Sequence, residues 1–259
     1  MSLSLPMSRP MSRPMSRKMS RSSASNPTLL DDLLAWYAPS LGGVEDLTDQ
    51  HGVSADLIKA GTPGFTDNYA SVDTSDTLSV PNGVLTNWIG PTRLPTDPAT
   101  KCTMLVAFQL PVGFVSGNII ANANGIHILR VNTADFFMEV ANVANGTDTP
   151  NPAASTDYIL GATYAGGASG TVEKWLEGTK YGSVAGTPNG GLSGEDLTFL
   201  WSAGLGIVRI YWIAFWNRKL TDAELSGYHL TNPETVYSGL LLPPPGIGEL
   251  VIGSTFIIG

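Results

Sequence analysis

The stretch at 205–229 constrains this chain most. Ile207-Val208-Arg209-Ile210-Tyr211-Trp212-Ile213-Ala214-Phe215-Trp216 is β-branched, aromatic or small and apolar apart from one arginine, a composition that suits a packed, pleated strand. Asn217-Arg218-Lys219 turns the chain, and Leu220-Thr221-Asp222-Ala223-Glu224-Leu225 follows at once. Thr221 is positioned as an N-cap and Glu224, three residues on, completes a capping box, so a short helix with an acidic tip begins there. The body therefore closes on a strand, a turn and a capped helix.

The rest of the chain points to an all-β class. Gly 29 and Pro 18 with 14% charged residues indicate many turns and short strands. Strands are expected at 103–110, 117–122, 125–131, 136–143 and 157–164, each bounded by turn formers, with a polar rim loop at 144–152. Near the start, Leu30, Leu33, Leu34 and Tyr37 share one helical face, which predicts a short amphipathic turn leading into an "AWYAPS" strand. Tyr69, Ser71 and Asp73 alternate with Ala70, Val72 and Thr74, the pattern of an edge strand. Lys174-Trp175-Leu176 and Lys180-Tyr181-Gly182-Ser183 flank Glu177-Gly178-Thr179 as a hairpin, with Gly178 supplying a positive φ. Trp36, Trp175, Trp201, Trp212 and Trp216 fall in expected strands and read as core, as does the single cysteine, Cys102.

These segments carry a resemblance. Arg218-Lys219-Leu220-Thr221-Asp222-Ala223-Glu224 is similar to the "R-x-L-[ST]-x-x-E" ending of laminin-G/concanavalin-A-like jelly-roll domains. The loop from Asp49 through Gly52 to Asp56-Leu57 resembles their "D-x-x-G-x-x-x-D-L" opening, and the hairpin resembles their "Y-x-D-G" turn, with Glu177 where Asp or Asn is usual. The resemblance covers about residues 34–231 and implies an antiparallel β-sandwich of the jelly-roll type, in a family that mostly binds or builds.

Three parts are expected: an arm at 1–27, a sandwich at 28–232, and a spacer and tail at 233–259. The arm repeats Met-Ser-Arg-Pro from Met7 and holds Arg9, Arg13, Arg17, Lys18 and Arg21 without an acid, leaving 9 basic against 22 acidic residues, net −13, in the remainder. It reads either as a low-complexity leader or as an extended arm that orders on binding an acidic partner. In the tail, Pro243-Pro244-Pro245 leads to β-forming residues that include Leu250, Ile252, Phe256 and Ile258. That strand either docks on its own sandwich or adds to a neighbour's sheet. No secretory signal and no apolar run of membrane-spanning length is read from the chain, which is expected to be made in the host cytoplasm.

Chemistry is harder to find. Glycoside hydrolysis needs paired carboxylates at fixed separation, whereas Glu45-Asp46 and Glu195-Asp196 are adjacent and Asp73 and Asp76 differ by three. No enzyme is expected. His51, His127 and His229 lie in distant segments without zinc spacing. Calcium at rim loops has Asp49, Asp67, Asp73 and Asp76 as candidates, without a motif. The glycine runs at 166–170 and 190–194 do not open a helix after a parallel strand, so they read as turns. Trp88, in Asn87-Trp88-Ile89-Gly90-Pro91, is placed in a loop, either as a buried plug or as a glycan or interface contact.

Jelly rolls with this ending resemble domains of tailed-bacteriophage virion proteins. The expectation that follows is a non-catalytic capsid decoration or cement protein of the phage head, trimeric, whose arm and tail contact the major capsid protein and neighbouring copies. The alternative is a glycan-binding module of a tail fibre or host-adhesion protein, with an exposed aromatic beside convergent polar side chains. Neither reading expects a membrane or nucleic-acid partner.

Overall fold

The computed structural model describes residues 32–40, 44–50, 54–66, 69–89, 93–122, 127–189, 196–199 and 205–226. Their strands form two sheets in which every pairing is antiparallel. The larger runs β13 (Thr179–Gly186), β12 (Gly170–Leu176), β11 (Asp157–Ala165), β6 (Lys101–Gln109), β15 (Val208–Trp216), β4 (Tyr69–Val72) and β3 (Gly64–Thr66), with β1 (Leu33–Tyr37) also paired to β15. The smaller runs β10 (Val143–Asn145), β9 (Phe136–Val140), β8 (His127–Val131), β7 (Gly117–Ala121), β14 (Leu197–Phe199), β5 (Thr77–Val80) and β2 (Ile58–Ala60). Two short helices, α1 (Asn82–Trp88) and α2 (Asp222–Ser226), complete the described chain. The arm at 1–27 and the tail at 233–259 lie outside the described residues.

The main core fills the space between the sheets. Alternate residues of β6, Cys102, Met104, Val106 and Phe108, enter it, and Phe108, Phe136 and Tyr158 meet there with ring centroids 4.9–6.2 Å apart. Burial pushes the Cys102 thiol far up, in keeping with its reading as a small core residue.

A second apolar layer covers part of the outer face of the larger sheet. Leu33, Trp36, Leu105, Ile159, Trp175, Trp212 and Trp216 form it together with Leu220 and Leu225 from the segment after β15. Strand β15 is therefore apolar on both faces, which explains why its sequence does not alternate. The capping box forms as its residues predict: Glu224 N–H donates to Thr221 Oγ1 at 3.2 Å and Thr221 N–H to Glu224 Oε2 at 2.7 Å.

Several local expectations give way. The helical turn expected at Leu33 and Leu34 is instead the start of strand β1, which runs on through the Ala35-Trp36-Tyr37 expected as strand; Leu33 and Trp36 join the outer layer while Ala35 and Tyr37 join the core. A strand buried on both faces places apolar residues at helical as well as strand spacing. The strand expected at 136–143 is a hairpin, turned at Ala141 and Asn142 with φ of 53° and 64°. Tyr69 and Ser71 do alternate with buried Ala70 and Val72, but β4 lies inside the sheet, between β3 and β15.

Candidate functional site

Pleating places every second residue of neighbouring strands in one transverse row. One such row crosses the outer face of the larger sheet: Asp157 opposes Gln109, Gln109 opposes Arg209, and Arg209 opposes Ser71. At about 4.8 Å between strands, these four positions span roughly 14 Å. Tyr69 lies two residues before Ser71 on the same face. Tyr211, two residues after Arg209, shares that face by the same alternation, and the register shift between Ile210 and Trp212 turns Trp212 to it as well.

Hydrogen bonds join these side chains in a chain. Arg209 Nη1 donates to Gln109 Oε1 at 2.7 Å, Gln109 Nε2 donates to Asp157 Oδ1 at 2.7 Å, and Tyr211 Oη donates to the same Oδ1 at 2.8 Å. The guanidinium also sits over the Tyr69 ring, 4.6 Å from its centroid, and Tyr69 meets Tyr211 edge to face at 5.9 Å. Burial, and then the bond to Asp157, push the Tyr211 phenol far up, so it stays a donor. Asp157 and Tyr211 act as positioning residues that fix the Gln109 amide, and Gln109 in turn fixes Arg209.

Above this floor opens a cleft of about 460 Å³, lined by Ser71, Gln109, Leu110, Pro111, Val112, Ser155, Ile207 and Arg209. Val112, 82% exposed, and Ile207, 58% exposed, make its rim apolar. An apolar rim over a few fixed polar groups is the usual construction of a small-molecule site.

The residues singled out from sequence fare differently. Trp88 is not an exposed contact: it is fully buried on α1 instead of in a loop, with Nε1 donating to the Thr103 carbonyl at 3.1 Å and its ring against Phe215 at 5.3 Å. Of its two readings, the plug is the one the fold adopts. Trp88 is buried on a helix for a simple reason. Val84, Leu85 and Trp88 share one helical face against the core, and this burial forms a helix that Asn82, Gly83, Thr86 and Asn87 disfavour. Arg9, Arg13, Arg17, Lys18 and Arg21 of the arm, and Leu250, Ile252, Phe256 and Ile258 of the tail, lie outside the described residues, as do Asp67, His51 and His229.

The remaining calcium candidates serve the backbone. Asp49 accepts the N–H groups of Trp36 and Ser54, each at 2.8 Å; Asp73 accepts those of Ser75 and Asp76; and Asp76 accepts that of Thr62. Among the described residues no three histidine, cysteine, aspartate or glutamate side chains are grouped as a metal site. Sequence reasoning missed Gln109, Asp157, Arg209 and Tyr211, whose only local signal is a lone arginine in an otherwise apolar strand.

No protein-family model matches the sequence, and no curated protein matches it. Solved structures do share the fold. The binding domain of botulinum neurotoxin DC, in complex with rat synaptotagmin II, is similar with a TM-score of 0.57 and 9% identity over 77% of this chain and 51% of that one. Domain 4 of an extracellular GH43 arabinanase from Geobacillus stearothermophilus, in complex with arabinotriose, is similar with a TM-score of 0.53 and 11% identity over 77% of this chain and 98% of that one. Botulinum neurotoxin type C, whose cell entry depends on interaction with two ganglioside molecules, is similar with a TM-score of 0.55 and 8% identity over 76% of this chain and 50% of that one. The chain thus spans about half the length of the neurotoxin chains it matches and almost all of the arabinanase domain. At these identities the likeness is one of β-sandwich architecture.

Proposed function

We propose that this protein is a non-catalytic glycan-binding β-sandwich module whose cleft on the larger sheet takes a saccharide. The observation that carries the reading is the floor of that cleft, where Gln109 and Arg209 are held by a hydrogen-bond chain beside Tyr69 and Tyr211. Amide, guanidinium and hydroxyl groups satisfy sugar hydroxyls, while the Val112 and Ile207 rim suits the C–H faces of a pyranose. Two of the similar folds are described with a carbohydrate or glycolipid ligand, which fits this reading. The other reading, a trimeric cement protein of the phage head, rests on residues 1–27 and 233–259, and no feature of the cleft favours it.

The test is a panel of immobilised oligosaccharides probed with the full chain, followed by calorimetry on those retained. We expect monovalent dissociation constants on the order of 1 mM, weakened about tenfold by Tyr69→Ala, which removes the ring that seats Arg209. Retention of none of the panel, or unchanged affinity in the Tyr69→Ala protein, would sink the proposal.

A further inference from the structure

Arg209 is an unusual group to find in this cleft. The protein carries net charge −8, yet Arg209 makes no ion pair among the described residues; its side chain donates one N–H to Gln109, and its Cζ lies over the Tyr69 ring, 4.6 Å from the centroid. A glutamate at 109 would neutralise it. The glutamine there has the same length, fixes the guanidinium through Oε1 and leaves the charge uncompensated. Asp157, the nearest carboxylate in the row, lies two strands away from Arg209 and is already engaged by Gln109 and Tyr211.

We infer that the saccharide of the proposed function is an acidic one, a sugar bearing a carboxylate such as a sialic or uronic acid, bound by Arg209 through that carboxylate. This inference rests on the cleft being a glycan site. The guanidinium is planar, and the bond to Gln109 uses one of its five N–H groups, leaving the others along its edge. That edge matches a carboxylate with two parallel hydrogen bonds. Leu110, Pro111, Val112 and Ile207 around it lower the local dielectric and strengthen such a pair. Ser71 and Ser155 stand on either side to meet the ring hydroxyls. The acidic body repels anions at long range, so selection of an anion has to be local.

The experiment is calorimetry of the full chain with 3′-sialyllactose against lactose, and with trigalacturonate against its methyl ester. At least one acid is expected to bind roughly tenfold more tightly than its neutral counterpart, the scale of a charge-assisted hydrogen bond. Arg209→Gln should weaken the acid far more than its neutral counterpart, so that the difference between them is lost, and Arg209→Lys should keep part of it. Thermal melts of both variants exclude unfolding as the cause. Equal binding of acid and neutral sugars, or equal weakening of both by Arg209→Gln, overturns the acidic assignment and leaves the glycan site standing. A glutamate hexapeptide binding as tightly as the acids overturns the saccharide class. Binding of none of these sugars overturns both.

Discussion

Lys174 brings a positive charge into the seam between the sheets, where its side chain is fully buried. Its Nζ donates to the carbonyl of Phe136 at 2.5 Å and to the carbonyl of Thr147, and lies 3.5 Å from Asp135 Oδ1. Two carbonyls and a carboxylate around one cation tie β12 to the chain flanking β9 and β10. Burial lowers the Lys174 pKa, and Asp135 opposes that shift in part. Lys174→Met keeps much of the stem but removes the donor to the buried Phe136 carbonyl and to the Thr147 carbonyl, and takes the cation from beside Asp135, which keeps its bonds from Thr149. Each unsatisfied group costs about 1–3 kcal/mol, so we expect a loss of about 3 kcal/mol, seen as a fall in Tm of about 6–12 °C. A variant that melts within about 2 °C of the parent would show that water replaces the ammonium without penalty. The cleft poses the opposite case, because Arg209 is exposed and its neighbours leave its charge uncompensated. One cation is consumed by structure and the other is left for a ligand.

The hairpin of β12 and β13 turns on Glu177 and Gly178, both at positive φ, 49° and 71°. Glycine adopts this backbone freely; glutamate does so here while its Oε1 accepts the Ile159 N–H at 2.5 Å. Gly178→Ala should therefore cost about 1–2 kcal/mol in urea unfolding. Glu177→Gly should be nearly neutral, since relief at the backbone offsets the lost bond. This hairpin, the strands at 103–110 and 157–164 and the capped helix were legible because local chemistry dictates them: a turn glycine, alternating or dense apolar runs, a threonine three residues before a glutamate. Helix α1 and the start of strand β1 were not, although Ala35-Trp36-Tyr37 reads as strand, because tertiary burial decides both. Leu33, Leu34 and Tyr37 fit a helix until β15 pairs with them, and Asn82, Gly83 and Thr86 disfavour the helix that Trp88 anchors. The cleft was legible least of all. Ser71, Gln109, Asp157 and Arg209 are far apart in the chain and meet only through the register of four strands, which no local pattern encodes.

Across the whole molecule the two apolar layers are closed differently. The core is shut between two sheets, whereas the described cover of the outer layer is Leu220 and Leu225 on the segment after β15. Polar contacts hold that segment down. Glu173 of β12 accepts from Lys219 at 2.7 Å, Lys180 at 2.7 Å and Thr163 at 3.0 Å, and Glu224 accepts from both ends of the Arg218 guanidinium at 2.6 and 2.9 Å. Burial opposes ionisation of both carboxyls, but these hydrogen bonds outweigh it and hold each below the ordinary glutamate range. A folded-state pKa below the unfolded value gives stability that is complete above the unfolded pKa and is lost as pH falls through the folded one. Glu139 acts in the opposite sense: burial raises its pKa, so its contribution improves as pH falls. Asp46 is held low in the same way, burial being outweighed by hydrogen bonds from Thr48 and Gln50, so three pinned carboxylates against one leave a net loss in acid. Thermal melts between about pH 5.5 and pH 3.5 should show Tm falling, with tryptophan emission shifting red as Trp212 and Trp216 are uncovered. The double substitution Glu173→Gln and Glu224→Gln removes both titrations, so that protein should begin with a lower Tm and lose less of it over the same range. If the two proteins decline in parallel, acid acts elsewhere and these carboxylates do not hold the outer layer closed.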